Sequence, residues 1–517
     1  MRSILIILDG WGISGEKFGN APLNAYTPNF DYLVTNYPFI KLKTSSEDVG
    51  LSWGVWGNSE TGHAAIGSGR ICWQYLEKIN RDIEKDRLKN NAKFISFLQK
   101  LKDSNNALHV ITLFSEGNVH SNYKQTIEFL SIAQNYLPKI WLHVISDGRD
   151  TPPKSIKKII TTFYNHRTKL DFDKIKIATL IGRFYAMDRD KNWERTQKAY
   201  DLIVDKKADI QTDSVRLAVN ENYKIGKDDE TALPSLVDQN YSFQKNDGLF
   251  FANYRADRMR QLVKMFANKN EENKVQQISS PILTLTDYLL PTINLEILYK
   301  QDKLENTLAE VLSKNAFTQL HVTETEKYAH LTYFFNGGIE KPFLGEKNII
   351  IPSPKVDTYQ KAPRMSADKI TDQVLLSIKN LKENTIIINY ANADMVGHTG
   401  DYNAAVLACQ AVDENLGKVL KAGLENQYNI FVTADHGNAD QMINPITGIV
   451  NKEHTTNPVP FVFANSGNRK NKTSSLNDFY NLPAIGILAD IAPSILETIK
   501  IKKPKEMTGE SIINSMI

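Results

Sequence analysis

Residues 1–12 read MRSILIILDGWG, and the aliphatic run Ile4–Leu8 followed at once by Asp9 decides how the chain is read. A short apolar run of this kind is a β-strand candidate, and here it ends in an acid. The same arrangement returns far downstream: IIINYANA (386–393) leads into Asp394, and IFVTA (430–434) leads into Asp435-His436. In open α/β sheets, ligands collect at the carboxyl ends of strands. Three strand ends therefore offer acids to one crevice.

Outward from these runs, short β-branched stretches alternate with helical patterns. Strands are expected at 3–8, 107–115, 139–146, 175–181, 248–253, 281–286, 348–352, 385–389, 429–433 and 459–464. Between them lie apolar residues spaced by three and four, as in Phe94/Phe97/Leu98/Leu101 and Leu304/Leu308/Val311/Leu312, and a longer helix over 403–425. Strands separated by helix-length segments imply parallel sheets of the α/β class.

Composition narrows the function classes. The 517 residues carry 62 Lys+Arg against 59 Asp+Glu, a net charge of +3, which excludes a global nucleic-acid or membrane footprint. With 41% apolar and 23% charged residues the chain is not a disordered one. Cys72 and Cys409 allow no disulfide framework, and no CxxC offers a structural zinc site, which fits a reducing compartment. Ile4–Leu8 is too short for a secretory signal, and no stretch approaches the ~18 apolar residues of a membrane span. A cytoplasmic protein without a targeting segment is expected.

The chemistry near the N-terminus has its partners only beyond residue 390, while residues from about 76 to 300 carry their own βα alternation. An inserted domain explains both facts. The expected division is 1–75 with 301–517 as one discontinuous domain, and 76–300 as a second α/β domain set into it.

Three constellations carry chemistry. The first joins Asp9, Asp394, His398, Asp435, His436 and His454. Asp394 and His398 are four apart, so one helical turn or tight loop aims both at one ion. Mixed Asp and His ligation suits Mn²⁺ or Zn²⁺, and six such residues suit two ions better than one. The second is GNSETGH (57–63), where Ser59 reads either as the N-cap of a following helix or as a nucleophile in a glycine-rich loop that admits a phosphate. The third is a set of motifs after strands of the middle segment: NVHS (118–121), DGRDT (147–151), GRFYAMDR (182–189) and YRADR (254–258). Each Arg–Asp pair alone reads as a solvated salt bridge. Five arginines gathered at one sheet edge read as a cradle for a polyanion, because guanidinium forks bind phosphate and carboxylate bidentately. Lys327, in TETEKYAH, adds a further cation.

With these residues in place the chain resembles the cofactor-independent (2,3-bisphosphoglycerate-independent) phosphoglycerate mutases of the alkaline phosphatase superfamily. The resemblance runs over essentially the whole length, through DGWG, GNSETGH, DGRDTPP, GRFYAMDRDKNWER, TETEKYAHLTYFFNGG, ADMVGHTG, TADHGNADQM and HTTNPVP in that order. It implies an alkaline-phosphatase-like, metal-binding domain carrying an inserted substrate-binding phosphotransferase domain. It also implies a monomer that interconverts 3- and 2-phosphoglycerate without 2,3-bisphosphoglycerate. One Mn²⁺ would be held by Asp394, His398 and His454, and a second by Asp9, Asp435, His436 and the oxygen of Ser59, with Zn²⁺ and Co²⁺ also compatible. Ser59 would be phosphorylated in turnover and Lys327 would assist the transfer. His120, Arg149, Asp150, Arg183, Arg189, Arg255 and Arg258 would hold phosphoglycerate, with Asp150 as general base or acid. The chain departs from the family at Trp53 and Trp56, at Asn118 and Asn122 of SEGNVHSN, and in YRADR where FRPDR is commoner. None of these removes a matched residue. A metal-dependent phosphatase or phosphopentomutase of the same superfamily and a non-catalytic phosphometabolite or nucleic-acid binder are the competing expectations.

Overall fold

Ile4, Leu5, Ile6, Ile7 and Leu8 are all essentially inaccessible to solvent, so the opening strand lies in the interior of a sheet covered on both faces. Burying each such isoleucine contributes about 1.5–3 kcal/mol relative to leaving it exposed, which anchors the strand by its side chains. The computed structural model describes residues 1–267, 280–300, 303–470 and 474–516. The chain divides into two compact units, Met1–Gln74 with Lys303–Ile517, and Tyr75–Asp302.

In the first unit the strand Arg2–Leu8 lies between Thr385–Tyr390 and Tyr428–Thr433, parallel to both, with Ile6 opposite Ile388 and Val432. The eight-stranded sheet runs in the order Glu346–Ile351, Gln319–Glu324, Thr385–Tyr390, Arg2–Leu8, Tyr428–Thr433, Val459–Ala464, Phe39–Lys43, Gly486–Ile487. Four adjacent parallel strands thus end side by side, and Lys327, Asp394, Asp9 and Asp435 follow their carboxyl ends. The 24-residue helix Tyr402–Glu425 covers part of this sheet through Ala408, Cys409, Val412, Leu416 and Val419, and its start is capped by Asp401, which accepts from the Ala404 N–H. The shorter helix Leu308–Lys314 starts after Thr307, so Leu304 lies outside it.

The sheet is not wholly parallel. Val459–Ala464 runs antiparallel to both Tyr428–Thr433 and Phe39–Lys43. The reason lies in the connection after Thr433, which holds a single 3₁₀ turn, Ala439–Gln441, and no crossover helix. A strand can return antiparallel without such a helix, whereas a parallel return needs one. That connection is free to carry Asp435, His436 and His454 instead.

The second unit has its own eight-stranded sheet, ordered Glu296–Tyr299, Ile282–Thr286, Gly248–Phe251, Leu108–Leu113, Ile140–Ser146, Ile175–Gly182, Ser235–Leu236, Ile210–Gln211. Gly248–Phe251, Leu108–Leu113, Ile140–Ser146 and Ile175–Gly182 are parallel neighbours, and the four middle motifs follow them in turn. The short Ser235–Leu236 pairs antiparallel beside them. Cores lie on the two faces, one including Phe94, Phe97, Phe129 and Phe250, the other Ile111, Ile145, Phe251 and Phe266. The helix Ala92–Asp103 places Phe94, Phe97, Leu98 and Leu101 inward, and Asn91 caps its first turn. Among the described residues no helix is long and apolar enough to cross a membrane.

Candidate active site

The helix Ser59–Ser68 begins at the candidate site, and its cap tests the N-cap reading of Ser59. Asn58 is the N-cap: its side chain accepts from the Thr61 N–H while the Thr61 side chain takes the Asn58 N–H, a reciprocal capping box. The N-cap reading of Ser59 is therefore wrong by one residue. With the cap supplied by Asn58, the buried Ser59 hydroxyl is left to the cluster around it.

Lys327 Nζ donates to Ser59 Oγ at 2.7 Å and to Asp394 Oδ2 at 2.6 Å, and it pairs with Asp9 Oδ1 at 2.7 Å. Ser59 Oγ also lies 2.9 Å from His436 Nε2 and 3.4 Å from Asp9 Oδ1. His436 Nε2 is 3.4 Å from Asp435 Oδ2 and 3.7 Å from Asp9 Oδ1. On the other side of Asp394, His398 Nε2 and His454 Nε2 each stand 3.3 Å from Oδ1 and 3.0 Å from one another. All seven sequence-derived metal-site residues and Lys327 are thus brought together within this unit.

The imidazoles reveal what the cluster is built to hold. His398 Nδ1 contacts the Lys452 carbonyl at 2.7 Å and His454 Nδ1 the Gly57 carbonyl at 2.8 Å. A carbonyl only accepts, so each Nδ1 carries a hydrogen and each Nε2 is turned inward to Asp394. Two ring nitrogens and a carboxylate oxygen then converge on one point. That is a candidate cation site, with the outward N–H bonds fixing the rings as they do in metal centres. Asp9, Asp394 and His436 form a second set with ligand atoms within 4.8 Å of one another, and Asp9, His63 and Asp435 a third.

Charge agrees with geometry. Three buried carboxylates, Asp9, Asp394 and Asp435, face the single ammonium of Lys327. Burial, then Asp435, push the Asp9 carboxyl up to about 7 in spite of Lys327. Burial would raise Asp394 too, but Lys327, His398 and His454 hold it well below the usual carboxylate range. Burial would lower Lys327, and Asp394, Asp9 and Asp435 together raise it instead. Burial brings His436 down to about 4, so it is neutral at pH 7. The negative excess and the inward ring nitrogens fit divalent cations.

Close packing holds Ser59 in register. A Cβ on Gly62 would stand 2.6 Å from the Asp435 carbonyl oxygen and 2.8 Å from its Cβ. Gly62→Ala therefore has to push the helix off the strand end. It is expected to cost about 1–3 kcal/mol of stability, read by thermal melting. Turnover should fall by up to about 100-fold, as displacement of reacting groups by about 1 Å does.

In the second unit, buried Arg183 donates to Asp147 Oδ1 at 2.7 Å and to Asp150 Oδ2 at 2.5 Å. Asp147 is further fixed by Ser115 Oγ at 2.5 Å and by the backbone N–H of Asp150 at 3.0 Å. Asp257 bridges Arg189 at 2.9 Å and Arg255 at 3.1 Å, and faces His120 Nδ1 at 3.7 Å. Burial, then Arg183, bring His120 down to about 4. Burial and the nearby Arg189, Arg183 and Arg149 all lower Arg258, so these guanidinium groups crowd one another. Arg149 also pairs with Glu230. An anion relieves that repulsion. Asp147 and Asp257, which order the arginines, are passed over when each motif is read for its cations alone. His63 and Asn389 in the first unit are missed as well; the spacing of His63 four residues after Ser59 is the signal that could have found it.

Fold and donor set together define a metal-dependent enzyme, and residues 1–503 match the Metalloenzyme superfamily. The chain is 40% identical over 518 residues to the 2,3-bisphosphoglycerate-independent phosphoglycerate mutase of Francisella tularensis subsp. novicida, covering 99% of each chain. It is 42% identical to phosphoglycerate mutase 1 of the same kind from Methanosarcina barkeri, covering 99% of this chain and 98% of that one. A crystal structure of Leishmania mexicana phosphoglycerate mutase, obtained at low cobalt concentration, superposes with a TM-score of 0.59 at 26% identity and covers 98% of this chain and 97% of that one. The chain belongs to the 2,3-bisphosphoglycerate-independent phosphoglycerate mutases, isomerases that interconvert 2- and 3-phosphoglycerate.

Proposed function

We propose that this chain moves the phosphoryl group between the 3- and 2-hydroxyls of glycerate through phosphorylated Ser59, as a cytoplasmic monomer using two Mn²⁺ ions. The observation that carries the reading is Ser59 itself, a buried hydroxyl at a helix start, 2.7 Å from Lys327 Nζ and 2.9 Å from the bare Nε2 of His436. Asp394, His398 and His454 would hold one ion, and Asp9, Asp435, His436 and Ser59 the other. When bound, such ions lower the pKa of a hydroxyl and neutralise charge on phosphoryl oxygens. Zn²⁺ and Co²⁺ satisfy the same Asp/His donors.

Ser59 Oγ gives up its proton and forms a bond to phosphorus as the bond from phosphorus to the glycerate 3-oxygen breaks, and that oxygen takes up a proton. In the second half the glycerate 2-oxygen releases its proton and bonds to phosphorus as the bond from phosphorus to Ser59 Oγ breaks, and Ser59 Oγ takes up a proton. Lys327 donates to Ser59 Oγ and counters charge that builds there. Arg183, Arg255 and Arg258 hold the glycerate carboxylate between the two transfers. Arg149 and Arg189 support them, and His120, neutral, contacts the phosphate. Asp150, held by Arg183, moves the proton of the glycerate hydroxyls.

The arginine cluster separates a mutase from a phosphatase, which has no use for retaining its dephosphorylated product. With 3-phosphoglycerate and Mn²⁺, a coupled assay is expected to register 2-phosphoglycerate and little inorganic phosphate. Chelation should abolish turnover and re-addition of Mn²⁺ restore it. Predominant release of phosphate would make the chain a hydrolase.

A further inference from the structure

The residue pair His63 and Asn389 lies outside the set of groups used above, yet both are fully buried against it. His63 Nδ1 is 2.9 Å from the Ser59 carbonyl oxygen, and a carbonyl can only accept, so Nδ1 bears the hydrogen. His63 Nε2 is then an acceptor, and Asn389 Nδ2 reaches it at 3.0 Å. The same amide nitrogen has a second hydrogen, and Asp9 Oδ2 lies 2.7 Å away. One uninterrupted chain of hydrogen bonds therefore runs from Asp9 through Asn389 and His63 to the first turn of the Ser59 helix.

We propose that Asn389 and His63 are a positioning pair that locks the Asp9 carboxylate and Ser59 into one geometry. Both ring nitrogens of His63 are engaged, so His63 does not ligate, although its ring stands among Asp9 and Asp435. Asn389 occupies the outer oxygen of Asp9 and turns Oδ1 toward Lys327 at 2.7 Å, Ser59 at 3.4 Å and His436 at 3.7 Å. Lys327 bridges Asp9 and Ser59 from the Oδ1 side, and the Asn389–His63 chain holds them from the Oδ2 side. Outer partners of this kind typically change metal affinity by about 10–100-fold when removed. The inference rests on the proposed role of Asp9 and Ser59, and it adds which residues set their spacing.

The test uses the full-length protein with ¹⁵N-labelled histidine, His63→Gln assigning the His63 signal. The metal-free wild type is expected to show His63 protonated on Nδ1 and bare on Nε2. Asn389→Asp, which keeps the shape but loses the donor, should move the proton to Nε2 or protonate both. Asn389→Leu and His63→Gln should each weaken Mn²⁺ binding about 10–100-fold in direct titration, lower kcat, and leave KM for phosphoglycerate within about threefold. The double variant should be no worse than the worse single one, because both act through one chain of bonds. A wild type protonated on Nε2, unaltered Mn²⁺ binding in both single variants, or losses that multiply would overturn the inference. A wild type that binds no Mn²⁺ would bring down the proposed function, and this inference with it.

Discussion

Ser59→Ala is expected to lower interconversion of the phosphoglycerates by at least about 10⁴-fold and to remove all acid-stable phosphoserine from protein quenched during turnover. The structure makes this a clean experiment. Asn58 and Thr61 supply the helix cap, so the helix loses nothing when the hydroxyl goes. Lys327 keeps Asp9 and Asp394 as partners at 2.7 and 2.6 Å, so no buried charge is stranded. Thermal stability should therefore stay within a few degrees of wild type. Asn58→Ala is the complement: it should cost about 1 kcal/mol through the lost cap while Ser59 remains available for phosphorylation. Near-normal turnover by Ser59→Ala would remove the nucleophile from the proposed mechanism. A stable, folded, inactive Ser59→Ala alongside a less stable but active Asn58→Ala would separate chemistry from scaffold.

The same helix start illustrates how far a sequence can be read. GNSETGH marks a helix N-terminus, but Asn58 and Ser59 are both good caps, and only the reciprocal bonds with Thr61 choose between them. The strands that bury on both faces, such as Arg2–Leu8 and Thr385–Tyr390, stand out through their aliphatic runs Ile4–Leu8 and Ile386–Ile388. Gln319–Glu324, QLHVTE, does not stand out, although all six residues are buried. Gln319 and His321 bond to one another, and Thr323 bonds to Asn389, so these three polar side chains find partners inside the sheet. This strand delivers Lys327, which is recognisable only from its motif. Phe39–Lys43 escapes notice for a related reason: Lys41 is buried in it and donates to the Tyr480 carbonyl at 2.9 Å. His63 and Asn389 belong to the same class. A polar residue satisfied by neighbours hundreds of positions away has no local pattern. The candidate metal-site acids are legible because Asp9 and Asp435 come within two residues of a strand end and Asp394 on the first turn of the helix that follows one, where chain direction brings them to one edge.

The second large effect is expected at Arg183, whose side chain is only 2% exposed between two carboxylates. Removing one partner of a buried ion pair strands the other, at a cost of about 3–5 kcal/mol. Arg183→Met leaves Asp147 and Asp150 without their shared cation, and should lower the melting temperature by about 6–20 °C at roughly 2–4 °C per kcal/mol. Arg183→Lys should recover only part of this, because one ammonium cannot match a fork that serves both acids. Lost activity in either variant would not by itself assign Arg183 to substrate binding, since an unstable unit also loses activity. Pairing Arg183→Met with Asp147→Leu resolves the ambiguity. The double change removes the stranded charge of Asp147, which is buried like Arg183, and replacing a buried ion pair with apolar groups is often neutral. Melting should return part of the way to wild type, because the Ser115 hydroxyl and the Asp150 N–H lose their acceptor. If Arg183 also holds glycerate between the two phosphoryl transfers, turnover should stay depressed by about 100-fold or more and inorganic phosphate should rise as the intermediate is lost to water. Recovery of turnover together with stability would reduce Arg183 to a scaffold for Asp147 and Asp150, and the retention of glycerate would then fall to Arg255 and Arg258.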